Sequence, residues 1–120
     1  MVCFVVIKGH SVPSAPDRPR IVKVNDKEVT LTWTPPDSDG GAEITGYIIA
    51  YTPRNERLTQ HVTVAVTTTA KLNDFKSGRF YKFAVAAKNA LGYGDFSYFS
   101  EEVKIPKFYG NNCFPYSIMS

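Results

Sequence analysis

The chain has 120 residues, with 14 Lys and Arg against 11 Asp and Glu, a net charge of +3, and 43% hydrophobic, 13% aromatic and 21% charged residues. This length suits one hydrophobic core, because two cores would each be too small to offset chain entropy. The basic residues are spread rather than clustered, which argues against a nucleic-acid or membrane-binding surface, and eight Pro and eight Gly announce many turns.

The first segment, Val2-Cys3-Phe4-Val5-Val6-Ile7, is apolar. It falls far below the roughly 20 residues that cross a bilayer and lacks the basic start and longer apolar run of a secretory signal. No Asn lies in an Asn-x-Ser/Thr sequon. Ser11 to Pro19 is rich in Pro and small residues, so it reads as an extended inter-domain linker, and residues 1–15 as a flexible leader.

Ile21, Val22 and Val24 predict a first strand, turned by Asn25-Asp26-Lys27. From Glu28 to Thr34, Val29, Leu31 and Trp33 alternate with threonines, the pattern of a strand with one buried and one wet face. Pro35 to Gly41 is a loop, since its prolines remove donors and its glycines permit positive φ. Ile44, Tyr47, Ile49 and Tyr51 give a third strand; Val62, Val64 and Val66 a fourth; Ala70 and Leu72 a fifth. Tyr81, Phe83, Val85 and Ala87 alternate with Lys82, Ala84, Ala86 and Lys88 to give the sixth, which ends at Asn89, Gly92 and Gly94. Ser97 to Lys104 closes the set, with Phe99 and Val103 on one parity. Seven strands without a helical period predict an all-β, antiparallel, immunoglobulin-like sandwich. Its core is expected around Trp33, Tyr47, Tyr81, Phe83 and Val85.

These residues resemble the fibronectin type III family over about Pro16 to Pro106. The likeness rests on Trp33, the run Asp39-Gly40-Gly41 then Ile44-Thr45-Gly46-Tyr47, the corner Phe75-Lys76-Ser77-Gly78, and the tail from Tyr81 through Asn89, Gly92, Gly94 and Ser97. The family usually has Leu and Pro where this chain has Phe75 and Ser77. The resemblance implies that the Tyr81 hydroxyl bonds to backbone of the preceding connection. It also implies neighbouring modules of fibronectin or immunoglobulin type.

Candidate chemistry is sparse. His10 and His61 have no Cys or carboxylate at ligand spacing, so they read as ordinary imidazoles, and neither catalysis nor a metal or other cofactor is expected. Asp37-Ser38-Asp39-Gly40 lacks the later ligands of a calcium loop and reads as an Asp-stabilised turn. Gly92-Tyr93-Gly94 separates two strands rather than opening a helix, so it is a turn and not a phosphate cradle. Tyr93-Gly94-Asp95 stands where some family members carry Arg-Gly-Asp, so no integrin-type contact is implied. Cys3 and Cys113 lie outside the patterned region and read as free thiols; pairing them would require both flanks to fold back.

Surface remains. Leu91, Tyr93 and Phe96 form one candidate protein-binding set, the alternative being that they fold back over the open end of the core. By parity, Ile48, Ala50, Ala84, Ala86 and Tyr98 form a second, flat and apolar for an outer sheet face. Lys82, Lys88 and Arg79 form a polyanion-binding alternative. The apolar tail, residues 107–120, reads as a flexible end, with docking onto exposed surface as the alternative. The reading is a non-catalytic interaction or spacer module, monomeric when isolated, from a larger multidomain protein. Its partners are proteins or neighbouring domains, and nucleic acid and membrane insertion are not expected. Tyr47 to Tyr51 is similar to adhesion or guidance receptor ectodomains, which implies an extracellular or cell-surface location. Asp39 to Tyr47 is also similar to modules of intracellular sarcomeric proteins, the alternative.

Overall fold

The computed structural model describes residues 10–25 and 27–106; the leader to residue 9 and the tail from residue 107, with both cysteines, lie outside them. Among the described residues eight strands follow in order: β1 (Arg20–Asn25), β2 (Glu28–Thr32), β3 (Gly46–Pro53), β4 (Gln60–Val64), β5 (Thr69–Leu72), β6 (Phe80–Asn89), β7 (Gly92–Tyr93) and β8 (Val103–Lys104). Every pairing is antiparallel. One sheet has the order β1-β2-β5; the other runs β4-β3-β6-β7, with β8 also pairing to β6. No helix occurs among the described residues.

The predicted alternation fixes which side chains face inward. On β3 and β6, Tyr47 lies opposite Ala87, Ile49 opposite Val85 and Tyr51 opposite Phe83, and all six belong to or pack on the core. Val29 and Leu31 of β2, Leu72, Phe75, Tyr81 and Ile105 complete it. Trp33 lies one residue past β2, its N–H donating to the Thr68 carbonyl at 2.9 Å, and its ring meets Tyr47 edge-on with centroids 5.4 Å apart. At the other end Phe75 packs on Tyr51, Tyr81 and Phe83, with centroids 5.1, 4.8 and 5.7 Å away. The Tyr81 hydroxyl accepts the Lys76 N–H at 3.0 Å, the bond to the preceding connection that the resemblance implied.

Two stretches differ from the alternation in the sequence. The seventh strand is not continuous from Ser97 to Lys104. Within that span only Val103–Lys104 form a strand, β8, after an irregular run, whereas Gly92 and Tyr93, read from the sequence as a turn, pair with Asn89 and Lys88 as β7. Ser97 donates its N–H to the Val85 carbonyl and accepts the Val85 N–H on its own Oγ; Ser100 does both with Phe83. Three residues here therefore match two on β6, and a period of two cannot persist. Phe99 accordingly lies against Lys82 outside the sandwich, while Val103 packs on the core.

The second difference is the entry. Pro13, Pro16 and Pro19 are all buried, a spacing of three that matches the turn of a polyproline II helix. Ser11 donates its N–H to Gly40 O at 2.7 Å and Ser14 to Ser38 O at 3.0 Å. Gly40, at φ +78°, has no room for a Cβ against the Ser11 carbonyl. Residues 11–15, read from the sequence as flexible leader, are thus bonded to the Ser38–Gly40 turn through Ser11 and Ser14, with Pro13 buried between them.

Candidate interaction surface

The outer face of the β4-β3-β6 sheet is built by the parity opposite to the core. Ala50 of β3 stands between His61 of β4 and Ala84 of β6, and Ile48 between Thr63 and Ala86. The sequence suggested that these alanines form an open apolar patch, but Ala50, Ala84 and Ala86 are 4%, 2% and 0% exposed. The Phe96 ring explains much of this. It lies 6.1 Å from the His61 ring, so it reaches across the alanine row from beside β6 to β4. Ile48 is half-buried, and Phe96, Tyr93 and Leu91 keep 42%, 41% and 54% of their surface.

Cations and rings alternate along the same face. Lys88 Nζ lies 5.3 Å from the Tyr93 ring centroid, Lys82 Nζ 4.5 Å from Phe99, and Arg54 and Lys104 lie 4.0 and 5.7 Å from Phe80. Such contacts hold the lysine stems flat and leave the charge at the surface. Arg54 is also paired with Glu102, which raises the Arg54 pKa and lowers that of the carboxylate. Arg79, by contrast, is bonded to Glu56 at 2.6 Å in the connection before β6. The suggested trio of Arg79, Lys82 and Lys88 is therefore not one cluster.

The candidate binding residues divide into two groups. Ile48, Tyr93 and Phe96 share the outer face, and Tyr98 projects beside it, 80% exposed, from between the bonded Ser97 and Ser100. Leu91 sits apart, at the two-residue tip of the β6-β7 hairpin, where Asn89 pairs with Gly92. No fold-back of these residues into the core is seen: none belongs to the core cluster.

Asn89 is the residue that sequence reasoning passed over. It is fully buried, donating from Nδ2 to Ser11 O at 2.7 Å and Asp39 O at 2.8 Å, and accepting the Leu91 N–H at 2.8 Å. One amide thus ties the entry, the Pro35–Gly41 loop and the hairpin tip together. The signal was present: Asn89 continues the inward parity of Tyr81, Phe83, Val85 and Ala87, and a polar side chain there needs partners. In that loop Asp39 Oδ1 accepts the Gly41 N–H at 2.8 Å, the Asp-stabilised turn. Among the described residues no group of three or more His, Cys, Asp or Glu is placed to hold a metal ion.

Burial raises the phenol pKa values of Tyr47 and Tyr51. The buried Trp33 indole N–H lies close enough to favour ionised Tyr47, yet it makes no hydrogen bond among the described residues.

The fibronectin type III domain pattern matches residues 14–103. The cell adhesion molecule DSCAML1 of Mus musculus is 36% identical over 95 residues, covering 77% of this chain and 5% of that protein. The protein sax-3 of Caenorhabditis elegans is 37% identical over 84 residues, covering 68% of this chain and 7% of that protein. The chain thus spans a small fraction of these relatives. Among solved structures, titin domains superpose with a TM-score of 0.77 at 31% identity, covering 81% of this chain and 33% of the other. The FN1–FN3 domains of chicken CNTN1, at TM-score 0.74 and 24% identity, cover 80% and 34% and share the fold. The chain belongs to the fibronectin type III domain family.

Proposed function

We propose that the chain is a non-catalytic protein-interaction module of a larger cell-surface adhesion or guidance receptor. Its binding surface would be the outer sheet face around Ile48, Tyr93, Phe96 and Tyr98, with Leu91 at the hairpin tip. The observation that carries this is the exposure of Tyr93, Phe96 and Tyr98 along backbone that is hydrogen-bonded to β6. Tyr98, 80% exposed between two serines fixed to β6, gains nothing for the fold by being aromatic. The similarity to the cell adhesion molecule DSCAML1 supports a cell-surface location.

The test uses multimers of the chain applied to living cells of the source tissue. Binding is expected, and Phe96→Ala with Tyr98→Ala should abolish it without lowering the melting temperature. Equal binding by the doubly substituted chain removes this surface from the proposal.

The alternative, a structural tandem module of an intracellular sarcomeric protein, is favoured by the titin likeness. Antibody to the chain should stain intact cells under the receptor reading. Staining only after permeabilisation, in striated arrays, would establish the alternative.

A further inference from the structure

Among the described residues the two sheets leave strand edges whose backbone N–H and C=O groups have no neighbouring strand, and such edges are normally guarded by charge, proline or irregularity. β1 carries Arg20 and Lys23 and a register shift between Ile21 and Lys23. β5 has only four residues and includes Lys71. The edge beyond β6 is divided into two-residue strands around the irregular Ser97–Ser100 run. β4 has none of these guards. Its register with β3 is unbroken from Gln60 to Tyr51 through Val64 to Tyr47. From Leu58 to Ala70 there is no Lys, Arg, Asp, Glu or Pro.

The side chains at this edge are also incompletely packed. Val62 and Val64 face inward but are only partly buried, whereas their β3 neighbours Ile49 and Tyr47 are buried. Leu58 and Val66, just outside the two ends of β4, are 70% and 61% exposed. A further strand beside β4 would complete the burial of the valines and satisfy the free backbone groups.

We propose that β4 pairs antiparallel with β4 of a second copy of this chain, joining the two larger sheets across a two-fold axis at Val62. Across such an axis like meets like, so a charged edge rejects its own copy and an uncharged one accepts it. The register places His61 opposite Thr63 of the second copy and Gln60 opposite Val64, and carries Leu58 toward Val66. One strand pair makes a small interface, so the dimer is weak, with a Kd of roughly 10 µM to 1 mM. This association is separate from the outer-face binding proposed above.

Sedimentation equilibrium of the chain under reducing conditions, which prevent cysteine cross-linking, should show a monomer–dimer equilibrium. Thr63→Lys, exposed and outward, should weaken it at least about tenfold by placing a cation on each edge, with the melting temperature unchanged. As a register test, chains with Cys3→Ser and Cys113→Ser carrying His61→Cys are mixed with others carrying Thr63→Cys. In an equal mixture, mixed disulfide dimers should far exceed the twofold excess over each homodimer that random pairing gives. A chain that stays monomeric at millimolar concentration, a dimer indifferent to Thr63→Lys, or mixed disulfides at or below the random twofold excess over each homodimer would overturn the proposal. In the first case the edge is left to a strand of a different protein.

Discussion

Asn89 and Tyr81 show how single polar groups hold this fold at its two ends. Each is buried and each bonds backbone that belongs to another segment, so removing the side-chain partner leaves main-chain groups unsatisfied. Tyr81→Phe removes one such bond and should cost about 1–3 kcal/mol in denaturant unfolding. An unchanged unfolding midpoint would show that water replaces the hydroxyl. Asn89→Ala removes three bonds at once and should cost more than Tyr81→Phe. Hydrogen exchange at the Ser11 and Ser14 amides should accelerate in Asn89→Ala but not in Tyr81→Phe, because only Asn89 touches the entry. The sequence displayed the two residues unequally. Tyr81 came with a recognisable corner, whereas Asn89 looked like the end of a strand, and its parity was the only sign of a hub.

At the scale of elements, β3 and β6 were readable because burial on one face imposes a strict period of two, and the core set around Trp33, Tyr47, Tyr81, Phe83 and Val85 followed from it. The closing segment was not readable in this way. Its contacts with β6 run through serine hydroxyls, and a three-for-two match erases alternation. The outer face was half legible: parity put Ile48, Ala50, Ala84 and Ala86 there, but could not show that Phe96 bridges the alanines to His61. These hydroxyls can be tested together. Ser97→Ala with Ser100→Ala leaves the Val85 and Phe83 N–H groups without their serine Oγ acceptors, and should cost roughly 2–4 kcal/mol. The loss should appear as a lower melting temperature accompanied by faster exchange at those two amides. If both amides stay protected, the irregular run is held by its backbone bonds alone.

For the whole molecule, the buried phenols set an alkaline limit. Tyr47 and Tyr51 have pKa values raised above the ordinary 10.0, mainly by burial, whereas in the unfolded chain they ionise near that value. The folded chain therefore keeps their protons to higher pH than the unfolded chain. Their contribution is complete below about pH 10 and is lost as pH rises through the folded values. The denaturant midpoint should fall as pH rises above about 10, and less steeply in Tyr51→Phe. A flat profile would mean that the rings open to solvent before the chain unfolds. At the acid end the Arg54–Glu102 pair, with its lowered carboxylate pKa, contributes above the ordinary Glu range and fades as pH falls through the folded value. It is solvent-screened, so salt should suppress that dependence.

The stitched entry has a mechanical consequence. Ser11 is fastened beside Asn89 at one end of β6, and Ile105 beside Arg79 at the other. Tension applied through residues 10 and 106 runs the length of the sandwich. It meets the Ser11 and Ser14 bonds one after another, so under traction the proline-lined segment should peel first and release a short extension before the sheets rupture.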